Sequence, residues 1–305
     1  MHAPTAAMHR APAPRAGSAT DFGQPTTLRA ADGVELAATS YPAQGQARAT
    51  LVLAAATGVP MGFYRRFAQW VAAQGVSALC FDYRGVGRSR PPRLRGFEAD
   101  FSHWAQDIDA ALAHALAASA APVSVVGHSI GGVLAPAALN APRAHRLVLV
   151  GAQSAYWRDW PHPHRWPMAT MWHGLMPALT AACGFFPGRA LRLGEDLPRG
   201  VAMQWAARPW RDPLADGSPL RKRYARTLPP VHLVAATDDV FATAAALERV
   251  RAALAGRAQC HRIDPASLGL ARLGHFGVFR ASGQALWPRL LALALDDPGA
   301  GAPSR

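Results

Sequence analysis

The chain has 305 residues, of which 50% are apolar and 17% are charged, and its formal net charge is +13. Lys222 is the only lysine among 32 basic residues, so the other 31 are arginines. They are spread along the sequence, and the tightest group, Arg221-Lys222-Arg223 with Arg226, has no interleaved aromatic ladder. Nucleic-acid motifs are absent, so we expect a solvated basic surface and no nucleic-acid partner.

The cysteines indicate the compartment. Cys80, Cys183 and Cys260 are an odd number without CxxC spacing, which argues against a disulfide framework and against a zinc site. The sequence has no secretory h-region and no stretch of about 18 uncharged apolar residues. We therefore expect a cytoplasmic protein with no integral membrane segment, no metal and no cofactor.

The first half of the chain alternates strands and helices. Residues 1–25 are rich in alanine and proline and are expected to be disordered. The elements predicted next are a hairpin around Asp32-Gly33, strands at 50–55, 76–81, 123–128 and 145–151, and helices at 62–74 and 98–118. This alternation predicts an α/β fold in which helices cover both faces of a mostly parallel central sheet.

The alternation stops between residues 152 and 228. Six of the nine tryptophans lie there, at positions 157, 160, 166, 172, 205 and 210. We interpret this segment as an inserted helical, Trp-rich cap between two parts of one core, 26–151 and 229–296. The second part contains strands at 231–236 and 259–263 and helices at 243–254 and after residue 277, and residues 297–305 are expected to be a flexible tail.

The motif with the clearest chemical meaning is Gly127-His128-Ser129-Ile130-Gly131. It follows a predicted strand and precedes a predicted helix, which is the context of a nucleophile elbow. The glycines allow the chain to pass closely around a strained serine, whose hydroxyl then stands at the carboxyl end of the sheet. The pattern predicts that Ser129 is a nucleophile.

A serine nucleophile needs a base that is oriented by an acid. Among twelve histidines, His275 lies in a glycine-flanked loop after the last strand, whereas His128 is adjacent to Ser129 and is expected to shape the elbow. The strand that ends at Ala236 delivers Asp238 and Asp239 to the same edge of the sheet. From spacing alone, either carboxylate could reach the histidine.

These motifs together resemble the α/β-hydrolase family over residues 27–296. The resemblance includes the elbow, the 82–89 segment DYRGVGRS and the loop Gly274-His275-Phe276. Within this family, the chain is more narrowly similar to predicted bacterial hydrolases near the serine aminopeptidase and monoacylglycerol lipase-like branch. The family places its acid three residues after a position that matches Ala236, which implies that Asp239 is the acid.

The resemblance has one departure. Where the family has His-Gly after the third core strand, this chain has Thr57-Gly58. A backbone donor does not need the histidine side chain, so we expect the N–H groups of Val59 and Ile130 to form the oxyanion hole, with Gly58 as the alternative to Val59.

The sequence thus predicts a cofactor-independent serine hydrolase that cleaves a carboxylic ester, or less favourably an amide, of an apolar small molecule. The alternatives are acyl transfer by the same triad and a non-catalytic ligand-binding protein with this fold. Trp157, Trp160, Trp172 and Trp205 are expected to line the substrate cleft, although packing of the cap on the sheet would account for them equally well. The oligomeric state is not predicted.

Overall fold

The computed structural model describes residues 23–296, apart from 161, 164, 208–213 and 215–218. The disorder predicted for 1–25 and the flexible tail predicted for 297–305 therefore lie mostly outside the described residues. Gln24 and Pro25 are an exception, because they already belong to the first strand. The prediction of disorder was wrong for these two residues.

The core is an eight-stranded sheet. Its order is β1-β2-β4-β3-β5-β6-β9-β10, and all neighbours pair in parallel except β1 with β2 and β2 with β4. The strands of this sheet are β1 (Gln24–Arg29), β2 (Glu35–Tyr41), β3 (Thr50–Ala54), β4 (Ser77–Phe81), β5 (Val123–His128), β6 (Leu147–Val150), β9 (Val231–Ala236) and β10 (Ala258–Ile263). The predicted fold class is confirmed. The residues of β3, β5, β6 and β9 are all buried, as expected for strands covered on both faces.

Helices cover the sheet, and several differ slightly from their predicted bounds. They are α1 (Arg65–Ala73), α2 (Phe101–Ala118), α3 (Ile130–Leu134), α8 (Ala244–Ala253), α9 (Gly274–Gly277) and α10 (Trp287–Leu295). Helix α2 begins three residues later than predicted, because the Asp100 carboxylate accepts the N–H groups of Ser102 and His103 and so caps the helix there.

The described part of residues 152–228 lies between β6 and β9 and is mainly helical. It contains α4 (Arg165–Ala169), a π-helical segment (Thr170–Leu175), α5 (Met176–Cys183), α6 (Arg199–Ala207) and α7 (Pro219–Tyr224). A two-stranded pair, β7 (Phe185–Phe186) and β8 (Leu197–Pro198), was not predicted because runs of two residues have no detectable periodicity. We call this segment the cap. It contacts the core where the Glu195 N–H donates to the Gly58 carbonyl at 2.9 Å.

The loop after β4 ties several parts of the core together. The Asp82 carboxylate accepts the N–H groups of Met61 at 2.7 Å and Arg88 at 2.8 Å. Arg84 is buried between Asp107, at 2.6 Å, and Asp32. Through these contacts the DYRGVGRS segment stabilises the loop after β3, which lies on the side of the sheet where the predicted nucleophile lies.

Candidate active site

The turn between β5 and α3 places Ser129 at the carboxyl end of the sheet. Ser129 has φ +54° and ψ −115°, a strained conformation for a residue other than glycine. A Cβ on Gly127 would lie 2.7 Å from the Gly131 backbone, and one on Gly131 would overlap the Ala54 carbonyl. Both glycines are thus required sterically, as expected for a nucleophile elbow.

His275 and Asp239 are hydrogen-bonded to each other. The Nδ1 atom of His275 lies 2.8 Å from Oδ2 of Asp239, and both side chains are buried. Burial alone would raise the pKa of Asp239, but hydrogen bonds from His275, Ala242 and Phe241 hold that pKa below its ordinary value. An ionised carboxylate can only accept, so Nδ1 of His275 carries the proton and Nε2 is left as the basic atom.

Asp238, the neighbouring carboxylate, contacts the loop of His275 and not its ring. Its two oxygens accept the N–H groups of Leu273 at 2.9 Å and Gly274 at 2.8 Å. The adjacent carboxylates therefore make different contacts. Asp239 is hydrogen-bonded to the imidazole, whereas Asp238 holds the backbone from which the imidazole projects.

A buried chain of hydrogen bonds joins three loops at the site. The Ala56 N–H donates to Tyr64 Oη at 2.9 Å, Tyr64 Oη lies 2.8 Å from Nδ1 of His128, and Nε2 of His128 lies 3.0 Å from the His275 carbonyl. Because a carbonyl only accepts, His128 must donate from Nε2 and accept at Nδ1 from the Tyr64 hydroxyl. Burial lowers the pKa of His128 to about 3, so this imidazole is neutral.

The loop after β3 contains Val59 and Gly58, the two alternatives for the first predicted oxyanion donor, and the second predicted donor, Ile130, lies in α3. The N–H of Val59 donates to the Ala56 carbonyl at 3.2 Å, so it is engaged within its own turn. Gly58 has φ +66°, and its N–H has no backbone partner among the described residues. Ile130 is the first residue of α3, where an N–H has no partner within the helix. In this conformation Gly58 and Ile130 are therefore a better pair of donors for an oxyanion than Val59 and Ile130. The neighbouring Thr57 hydroxyl is buried without a described partner.

Ser129 and His275 line a cavity of about 550 Å³. Its apolar lining comes from the core and from the cap, and it includes Phe63, Met171, Trp172, Met176, Phe186, Leu197, Trp205, Phe241 and Phe276. Of the four tryptophans expected to line the substrate cleft, Trp172 and Trp205 line this cavity, whereas Trp157 and Trp160 do not. Trp160 is buried behind Trp172, with ring centroids 4.7 Å apart, and donates to the Phe241 carbonyl. Trp157 packs against Trp166, and Trp210 lies outside the described residues.

Several residues of the site were not found from the sequence. Tyr64 and Phe241 follow no motif, and their contacts depend on how distant loops meet. Gln153, which lines the cavity three residues after β6, had a usable signal, since carboxyl ends of parallel strands are where such sites form. No group of three or more potential metal ligands occurs among the described residues. In that part of the chain no helix is long and apolar enough to span a membrane.

A parallel sheet with a nucleophile elbow and a histidine–carboxylate pair at its carboxyl edge defines an α/β-hydrolase. Residues 45–248 match the family described as serine aminopeptidase, S33, and this match covers more than half of the chain. The chain belongs to this family. No curated protein sequence shows a significant match.

Solved structures agree on the fold. A soluble variant of monoglyceride lipase from Saccharomyces cerevisiae is 17% identical, with a TM-score of 0.63 over 92% of this chain and 98% of that chain. An esterase from Exiguobacterium antarcticum is 18% identical, with a TM-score of 0.60 over 88% of this chain and 98% of that chain. The thioesterase domain from the curacin biosynthetic pathway is 14% identical, with a TM-score of 0.56 over 88% and 99%.

Proposed function

We propose that this protein is a serine hydrolase that cleaves carboxylic esters of an apolar small molecule through an acyl-enzyme on Ser129. The observation that carries the proposal is that Ser129 and His275 line one cavity while Asp239 occupies Nδ1 of His275. That arrangement leaves Nε2 available as a base in the cavity that holds the serine hydroxyl.

In the proposed reaction, the Ser129 hydroxyl attacks the ester carbonyl and gives its proton to Nε2 of His275. Asp239 stabilises the imidazolium that forms. The negative oxygen of the tetrahedral intermediate is bound by the N–H groups of Ile130 and Gly58. His275 then returns the proton to the leaving alcohol, and a water molecule, activated in the same way, cleaves the acyl-enzyme.

The lining of the cavity favours an apolar acyl group. Trp172, Trp205 and Phe241 form one connected aromatic cluster, with Trp172 in edge contact with both of the other rings at 6.0 and 6.3 Å. Such walls bury apolar surface and exclude water from the reacting carbonyl. Neighbours of the same fold include proteins named as esterase and monoglyceride lipase, which fits an ester substrate.

The test combines a fluorophosphonate probe with p-nitrophenyl esters from acetate to octanoate. We expect the wild-type protein to be labelled on Ser129 and to hydrolyse the esters. Ser129→Ala should prevent labelling and reduce kcat by on the order of 10⁴–10⁶ while the unfolding midpoint stays close to the wild-type value. Wild-type turnover by a clean Ser129→Ala preparation would rule out the proposed nucleophile. Absence of both labelling and turnover in the wild-type protein would favour a ligand-binding function, and an ester-exchange product with an added alcohol would favour acyl transfer.

A further inference from the structure

Among the polar side chains that line the mainly apolar cavity, Gln153 is buried and has no function in the proposed reaction. Gln153 lines the cavity and is only 2% exposed. A buried carboxamide without hydrogen bonds costs free energy, so a leucine or methionine would suit an apolar wall better. The presence of glutamine at this position therefore points to a polar partner.

The orientation of this carboxamide is fixed by its own loop. Oε1 of Gln153 accepts the Ala155 N–H, and the adjacent turn is held by the Ser154 hydroxyl, which accepts the Tyr156 N–H at 3.2 Å. Because Oε1 is the acceptor, Nε2 must be the other atom of the amide. No described residue accepts a hydrogen bond from Nε2, and this nitrogen is not sealed inside the protein. Two N–H donors thus remain for a molecule that enters the cavity.

The backbone just before Gln153 runs beside the reacting groups. The Ser129 N–H donates to the Val150 carbonyl at 2.8 Å, three residues before Gln153. A Cβ on Gly151 would lie 2.9 Å from Cε1 of His275, so the chain runs directly against the imidazole before it reaches Gln153. Because Gln153, Ser129 and His275 line the same cavity, a substrate whose carbonyl lies at Ser129 shares that cavity with the Gln153 carboxamide.

We propose that Gln153 is a specificity-determining residue that donates a hydrogen bond to a second acceptor oxygen of the substrate, within a few bonds of the scissile carbonyl. This inference rests on the proposed function and narrows its substrate class. The preferred substrates are esters with a ketone, ether or hydroxyl oxygen beside the reacting group, on an otherwise apolar framework. The walls of the cavity accept the framework, and Gln153 recognises the oxygen.

The experiment uses pairs of esters that differ only by an ether oxygen in place of a methylene. On the acyl side the pair is p-nitrophenyl ethoxyacetate and p-nitrophenyl pentanoate, and on the alcohol side it is 2-methoxyethyl hexanoate and butyl hexanoate. For each pair we take the ratio of kcat/KM, ether over methylene, in the wild-type protein and in Gln153→Glu. Intrinsic reactivity is common to both proteins and cancels when the two ratios are compared.

Gln153→Glu is the most informative variant. Its carboxylate still accepts the Ala155 N–H, but it presents an acceptor to the substrate where the wild-type protein has donors. We expect the ether-to-methylene ratio to fall about tenfold or more in this variant for one of the two pairs, which also identifies the side on which the oxygen lies. Gln153→Met, which has no donor and no repulsive charge, should lower the same ratio by a smaller factor. A simple loss of stability would lower both members of a pair equally and leave the ratio unchanged.

An unchanged ratio for both pairs, in a wild-type protein that hydrolyses the hexanoates, would overturn the assignment of Gln153 and leave the serine hydrolase intact. A wild-type protein that cleaves none of these esters and is not labelled by a fluorophosphonate would instead contradict the proposed function, and the assignment of Gln153 with it.

Discussion

The core side and the cap side of the cavity are built on different principles. On the core side, Ser129, Asp239 and His275 follow strands or strand-connecting loops and are held by steric exclusion, backbone strain and buried hydrogen bonds. On the cap side, helices of five to nine residues present apolar and aromatic side chains. Ser129 is held by a turn in which Gly127 and Gly131 have no room for a side chain, and His275 is held by its hydrogen bond to Asp239. Groups that only enclose the substrate can be exchanged more freely.

The largest expected effect on the core side separates the adjacent carboxylates. Asp239→Asn should lower kcat on a hexanoate ester by roughly 10⁴, because an amide donor favours the wrong tautomer of His275. Asp238→Asn should cost less than about tenfold in kcat, since one amide oxygen still accepts an N–H of the 273–274 backbone. The opposite ranking of the two variants would show that Asp238 is the acid.

The cap side should respond in a graded way. Each buried methylene contributes up to ~0.8 kcal/mol, so kcat/KM should rise by up to about fourfold per methylene from acetate to hexanoate, until the cavity is full. Trp172→Ala should flatten this rise and change acetate turnover least, because a short acyl group does not reach the aromatic wall. Trp157→Ala is the matched control, since Trp157 is also half-buried in the cap but does not line the cavity. A flat or falling series in the wild-type protein, with an active triad, would contradict the apolar cleft.

The contribution of His128 to stability in acid reports on the core side. His128 is neutral when folded, with a pKa lowered to about 3, whereas an unfolded histidine has its ordinary pKa near 6.5. Between these values the unfolded state binds the proton more strongly, so this stability is complete above pH 6.5 and is lost as the pH falls toward 3. By pH 5 the loss from His128 is on the order of 2 kcal/mol.

The loss of stability from His128 is measured from the free energy of unfolding in urea at pH 7.5 and pH 5, for the wild-type protein and for His128→Asn. The advantage of the wild-type protein over the variant should shrink by about that amount at pH 5. Other titrating groups are common to both proteins and cancel in the difference. Parallel pH dependences would mean that His128 is not a buried neutral group.

The smallest effect is expected from removing one buried hydroxyl on the core side and one on the cap side. Thr57 in the core loop and Thr180 in α5 both have buried hydroxyls without a described partner. Replacing either by valine should leave the free energy of unfolding unchanged or raise it by up to ~1 kcal/mol, because an unpaired hydroxyl is exchanged for a methyl group. Activity should stay within about threefold for both variants. A large loss of kcat in Thr57→Val alone would show that its hydroxyl, after a side-chain rotation, reaches the reacting carbonyl.

The same contrast explains how far the sequence could predict the molecule. The sheet, the elbow at Ser129 and the loop of His275 were predictable because glycine spacing and buried apolar runs are local requirements. The hydrogen bond that distinguishes Asp239 from Asp238 was not predictable from spacing, since it depends on a loop that returns 36 residues later. The division of the tryptophans between Trp172 and Trp157 depends on which face of each short helix meets the core. Elements this short have too few residues for their hydrophobic periodicity to indicate which face meets the core.

The buried position of His128 also has an electrical consequence. Its ring centroid lies 5.0 Å from that of His275, so two imidazoles stand side by side next to one serine. A second protonatable ring at that distance would compete for the serine proton or repel the imidazolium. Nδ1 of His128 accepts the Tyr64 hydroxyl and its Nε2–H donates to the His275 carbonyl, so its ring has no free lone pair. Its pKa, lowered by burial to about 3, keeps it uncharged near neutral pH. In the proposed reaction, His128 therefore cannot accept the proton of Ser129, which leaves His275 as its acceptor.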